Sequence, residues 1–207
     1  MCWNQTISLN TFIFSLFAIN FAYFNNISDI YYYIYFLSFS SMQLVEYFAW
    51  GNLNNKKTIR FLSHIGLFLV SMQPILFILS IANVEYNIKA SLIALYCVVW
   101  SFCLLYFPID FSMVKASNGH LAWNWLRFPP LVVLLWIAFY TCLLLYTKEY
   151  ISFVLLLILF FYIYYTYYAN LTWGSLWCWI SNILAVKLLI LIFLNPSLPN
   201  CLLFEKK

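Results

Sequence analysis

Polar residues punctuate this chain at intervals, and long apolar stretches run between them. Asn25-Asn26-Ile27-Ser28-Asp29, the run from Gly51 to Lys57, Asn83-Val84-Glu85, the run from Pro108 to Pro130, Lys148-Glu149 and Ala169-Asn170 hold most of the charged and turn-forming residues. The stretches they bound are Ile7–Phe24, Ile30–Trp50, Phe61–Ala82, Ile88–Phe107, Leu131–Thr147, Tyr150–Tyr168 and Gly174–Leu194. A helix needs about 20 apolar residues to cross the hydrocarbon core of a bilayer, and each stretch is near that length. The pattern predicts an all-α, polytopic membrane protein, a seven-transmembrane-helix bundle forming one domain over 1–207. The runs are continuous rather than alternating, which excludes a membrane β-barrel. No internal repeat of the kind built into inverted-repeat transporters is visible. The weakest boundary is Lys148-Glu149, where two stretches nearly merge.

Composition strengthens this reading. Apolar residues make up 66% of the 207 and charged residues only 8%, against roughly 25% charged in a soluble domain. A chain this short cannot hide so much apolar surface from water. That excludes a soluble enzyme, a disordered protein and a nucleic-acid binder, despite a formal charge of +4. The expected partner is the lipid bilayer, and the expected location is an integral membrane one. The opening Met-Cys-Trp-Asn-Gln-Thr lacks the basic residues of a signal peptide, so the first stretch is read as a retained span. The six cysteines show neither a CxxC pair nor zinc-ligand spacing, and no metal site is predicted.

Charge bears on orientation. Seven spans place the loops at 51–60, 108–130 and 169–173 with the N-terminus, on side A, and the others with the C-terminus, on side B. Side A then carries Lys56, Lys57, Arg60, Lys115 and Arg127, and side B carries Lys89, Lys148, Lys206 and Lys207. The totals leave orientation open, while the Lys56/Lys57/Arg60 cluster favours a cytosolic side A. Sequons at Asn4, Asn26 and Asn170 fall on both sides, as do Cys2 and Cys201.

Two ionisable residues sit inside spans, where each costs roughly 2.5–3.5 kcal/mol and demands a reason. Lys187 belongs to the last span and lies beyond its middle. Its ammonium is expected to snorkel toward side B. A retinal Schiff base on Lys187 is the sharper alternative, but the third span offers no carboxylate counter-ion. Glu46 is better placed, and reads equally as a protonated or hydrogen-bonded tie between helices or as a carboxylate that binds a ligand, proton or metal. Ser40, Gln43, Glu46 and Trp50 recur at helical spacing and form one stripe, and such a stripe faces the bundle interior. His64, Trp177, Cys178 and Trp179 fall in the same layer, about one turn below side A. Trp3, Asp110, His120, Trp123 and Trp125 belong to segments above it. The predicted ligand-binding set is Gln43, Glu46, Trp50, His64, His120, Trp123, Trp177 and Trp179. Interfacial enrichment of Trp is the plainer explanation for part of it. Pro74 cannot donate to the Val70 carbonyl and predicts a kink, with Gln73 bonding across helices beside it.

Several segments appear in a recognisable order: Met1-Cys2-Trp3-Asn4 with Ser8, Met42-Gln43-Leu44-Val45-Glu46, Met72-Gln73-Pro74, Gly119-His120-Leu121-Ala122-Trp123 and Trp177-Cys178-Trp179. Together they resemble an uncharacterised domain-of-unknown-function family of multi-pass membrane proteins that begin Met-Cys-Trp. The resemblance implies the membrane fold and the residue shortlist, and no activity. In that family a His stands one turn before the Gln-Pro pair; here Leu69 holds that place and His64 lies further upstream. Three functions follow from the residues. The first is binding or transport of a small ligand, ion or proton in a side-A pocket. The second is a structural or assembly role in the membrane. The third is intramembrane catalysis by Glu46, His64 and His120.

Overall fold

The computed structural model describes residues 4–82 and 84–194, without the side chains of Cys178 and Trp179. Cys2, Trp3, Cys201, Lys206 and Lys207 lie outside the described residues. Seven α-helices run through the described chain: α1 (Gln5–Phe24), α2 (Ile30–Gly51), α3 (Lys56–Ser80), α4 (Tyr86–Tyr106), α5 (Pro130–Tyr146), α6 (Tyr150–Tyr167) and α7 (Trp173–Leu194). Each matches one apolar stretch. The largest departure is the start of α3, which begins at Lys56 rather than Phe61. There the Asn55 side chain accepts from the backbone N–H groups of Lys57 and Thr58. A cap, not apolarity, sets where a helix starts. Asn4 and Asp29 cap α1 and α2 in the same way.

Five helices are long and apolar enough to cross a membrane: α1, α3, α4, α6 with its 3-10 extension to Asn170, and α7. The other two differ from these for separate reasons. α5 is only 17 residues long. α2 has 22 residues, but tyrosines, serines, Gln43 and Glu46 dilute its apolar character. It is nonetheless a core helix, buried along one face from Tyr35 to Ala49 and packed against α1, α3 and α7. Its polar residues lie on that inward face. By contrast α4 and α6 expose rows of large apolar side chains, including Leu95, Val98, Phe102 and Leu105 on α4 and Ile151, Val154, Leu155 and Ile158 on α6.

The connection from α4 to α5 is more than a loop. It folds into an antiparallel hairpin, β1 (Met113–Lys115) and β2 (Leu121–Trp123), with Met113 opposite Trp123 and Lys115 opposite Leu121. The turn closes with Gly119 N–H donating to Ala116 O at 3.0 Å, and Gly119 adopts φ +83°, which a side chain would resist. A 3-10 turn at Asn124–Leu126 follows. Leu121 and Trp123 are fully buried, and Trp125, Leu126 and Phe128 nearly so. The hairpin is sewn to the start of α7: Trp123 N–H donates to Leu171 O at 3.1 Å, Trp123 Nε1 to Ser175 Oγ at 3.0 Å, and Asn118 Nδ2 to Thr172 Oγ1 at 2.9 Å. Its Trp123 ring lies on Gly66 of α3, where an added Cβ would come within 2.5 Å of a ring carbon. Gly66 is about 15 Å along α3 at ~1.5 Å per residue. The hairpin is therefore a cap inserted between helices. It shares one end of the bundle with the start of α1, the α2–α3 turn and the α6–α7 link.

α3 runs through Pro74 as one helix. Just before it, Ser71 receives two bonds from α4: Tyr96 Oη donates to Ser71 O at 2.8 Å and Trp100 Nε1 to Ser71 Oγ at 2.8 Å. The turn in which proline removes a donor is thus the turn that α4 grips.

Candidate functional site: a buried polar ladder

Helices α1 and α2 are antiparallel neighbours. Ser8, Thr11 and Ser15 recur on α1 at spacings that keep them on one face, as do Ser40, Gln43 and Glu46 on α2. Thr11 Oγ1 donates to Gln43 Oε1 at 3.0 Å and fixes the register. One turn either way, antiparallel packing sets Ser8 level with Glu46 and Ser15 level with Ser40. Ser8, Ser15, Ser40, Gln43 and Glu46 are all 0% exposed. These residues make a three-level polar ladder crossed by the Thr11–Gln43 bond, while the Ser8 and Ser40 hydroxyls donate within their own helices to Asn4 O and Phe36 O, each at 3.2 Å; it begins near the rim at Asn4 and Gln5, both exposed. The rungs cover about 10 Å of helix at ~1.5 Å per residue.

Below the last rung the character changes. Ala18, Ile19 and Ala22 of α1, Phe36 of α2, and Ala185, Leu188 and Ile192 of α7 form one apolar cluster. The ladder runs toward the capped end and stops at this apolar cluster at the other.

Beside the ladder, α3 and α7 contribute a second buried polar pair. Trp177 Nε1 donates to Gln73 Oε1 at 3.2 Å. Gln73 Nε2, Ser63 Oγ, Ser15 Oγ, Ser181 Oγ and Asn182 Nδ2 are buried with no partner among the described residues. Buried polar atoms are nearly always satisfied, by protein or by water, so this region has hydrogen-bonding capacity to spare. Three clefts at other places, two by the α2–α3 turn and a small one between Val70 and Trp136, include neither Gln43 nor Glu46.

The predicted site residues divide. Gln43 and Glu46 are interior, Trp177 is 2% exposed among aromatic rings, and Trp123 is inside the cap. Trp50 is half-buried at the α2–α3 turn and lines one of the clefts there. His64 lies off the buried face of α3: its Nδ1 sits 2.6 Å from Arg60 O, and its ring stacks on Phe111 at 3.7 Å. The buried stripe of α3 passes through Ser63, Gly66 and Leu67, and helical phase turns His64 away from it. His120, in the hairpin, is 4% exposed and meets the Tyr167 ring edge-on at 5.8 Å. Burial pushes its imidazole down to about 4. The Trp179 side chain is outside the described residues. Lys187 is exposed on α7. Among the described residues no three His, Cys, Asp or Glu side chains gather as a metal site.

The α2 half of the ladder stands out in the sequence through Gln43 and Glu46, and the α1 half does not. The signal was present in the Ser8, Thr11, Ser15 spacing, but hydroxyls are weak markers beside a carboxylate. No family model, curated protein or solved structure matches this chain.

Proposed function

We propose that the chain is a multi-pass membrane protein whose seven helices all cross the bilayer, and that it binds and moves protons or small cations through the α1–α2 ladder. Five helices have the length and apolarity to span. α2 can lack that apolarity because its polar residues face protein rather than lipid. α5 has 17 residues, the lower end of spanning length. The carrying observation is Glu46, fully buried in a row of polar side chains that ends on an apolar layer. A carboxyl there accepts and releases a proton, and the flanking hydroxyls and amide supply the relay or the ligands. The apolar layer makes the site a gated half-path rather than an open pore. Narrow packing between adjacent helices favours a proton or bare cation over an organic solute.

The test is flux into liposomes carrying the purified protein and an internal pH or cation indicator. Wild type is expected to exceed empty vesicles, and Glu46→Gln to lower the rate at least tenfold while keeping the fold by circular dichroism. Equal rates for wild type and Glu46→Gln, or for wild type and empty vesicles, remove the reading. The acid/base enzyme alternative is less favoured because His64 is engaged with Phe111 rather than turned inward. A purely structural membrane role is the outcome if no flux is found. The residue pattern that resembles the Met-Cys-Trp membrane family agrees with this reading of the fold.

A further inference from the structure

The first turns of α3 carry Lys56, Lys57 and Arg60 and no acidic residue. The positive end of the helix dipole disfavours cations at that position. The backbone does not need them there, since Asn55 already caps the Lys57 and Thr58 amides. Among the described residues neither Lys56 nor Arg60 has a carboxylate partner in an ion pair. The two side chains, four residues apart, share one face of α3. They line a cleft of about 530 Å³. Its opposite wall is the segment leading into the hairpin, Ile109 to Val114. That wall is braced: Asp110 Oδ1 accepts from Ser112 N–H at 3.0 Å and its Oδ2 from Asn124 Nδ2 at 3.3 Å, while Phe111 stacks on His64. The rest of the lining is apolar, chiefly Leu53, Ile59, Phe111 and Met113. A second cleft of about 750 Å³ adjoins it, with Lys56 common to both and Lys57 on its wall.

We infer that this cleft is a site for a phosphate-bearing anion, with Lys56 and Arg60 gripping the phosphate. Lys56 and Arg60 share this cleft with one carboxylate, Asp110, which Ser112 and Asn124 already engage, so an anion entering beside the α3 N-terminus meets a net positive charge. Arg supplies a planar fork for two phosphate oxygens and Lys a point charge. The apolar half of the lining suits a phospholipid, whose glycerol and upper acyl chains would lie on Leu53, Phe111 and Met113. Free phosphate has the same headgroup chemistry but no use for that surface. Only the lipid source of the phosphate rests on the membrane reading; the anion site does not require flux through Glu46.

The test uses purified full-length protein in neutral detergent and in nanodiscs. One arm compares retention of phosphatidylglycerol with phosphatidylcholine by native mass spectrometry. A second arm titrates inorganic phosphate, read by thermal shift. A third repeats both with Lys56→Gln/Arg60→Gln and with Arg60→Lys. The expected result is preferential retention of the anionic lipid, weakened by salt and reduced at least tenfold in the double variant, with Arg60→Lys intermediate. Binding of phosphate without lipid preference keeps the anion site and assigns it a soluble ligand. Equal retention of both lipids together with no response to phosphate overturns the inference on wild-type protein alone, whatever the variants do. Retention unchanged in a folded double variant overturns it as well.

Discussion

Single buried polar contacts decide how firmly the cap is held. Trp123 Nε1 has Ser175 Oγ as its acceptor, and Ser175 in turn donates to Leu121 O at 3.2 Å. Ser175→Ala leaves a buried indole N–H without a partner, which costs about 1–3 kcal/mol. The expected outcome is a lower unfolding temperature in detergent with the helical content unchanged. His120 makes a second prediction. Its imidazole titrates near 4 when folded, below the roughly 6.5 of an unfolded His. Between those values the unfolded chain binds a proton that the folded chain refuses, so stability falls as pH drops through that window and levels off below it. Unfolding temperature measured from pH 8 to pH 4 should show this slope, and His120→Asn should flatten it. A slope unchanged in His120→Asn would assign the effect to other groups.

At the scale of elements, the hairpin and α3 meet through a glycine. A Cβ at position 66 would sit 2.5 Å from Trp123 Cζ3 and 3.0 Å from Cη2. The ring cannot retreat, because it is fully buried and tied to Ser175. Gly66→Ala should therefore cost about 1–3 kcal/mol by overpacking, despite the better helix propensity of alanine. Limited proteolysis is the direct check, with cleavage expected to rise between residues 113 and 126. The same contact explains what was hidden in the chain from 108 to 130. Strands of three residues are too short to show a period of two, and their stability comes from the α3 and α7 surfaces beneath them. The helices were legible for the opposite reason: each carries its own apolar run and, at α1, α2 and α3, its own Asx cap.

For the whole molecule, the arrangement of loops makes a topological prediction. Single cysteines introduced at Asn54 and Ser117 into a cysteine-free background should react from one side of sealed vesicles, and those at Asn26 and Lys148 from the other. The first pair is expected together because the α2–α3 turn and the segment entering the hairpin border one cleft. Labelling of Asn54 and Asn26 from the same side would mean that α2 does not cross, and the seven-span proposal would fall. The exposed apolar rows on α4 and α6 fit this arrangement. On the seven-span proposal these rows would be the lipid-facing surface of the bundle.

Amino-acid order alone determined the number of the helices in the described chain and their limits to within a few residues, because length, apolar runs and caps are local properties. It also marked Gln43 and Glu46 as inward-facing, since helical phase is local too. Which residues meet them was decided only when α1 docked antiparallel on α2 and brought Thr11 to Gln43. Tertiary structure likewise turned His64 outward onto Phe111, buried His120 and Trp123 in a folded cap, and left Lys56 and Arg60 on the wall of a cleft. Such pairings depend on relative height and rotation between helices, and those are set by packing across elements distant in the chain.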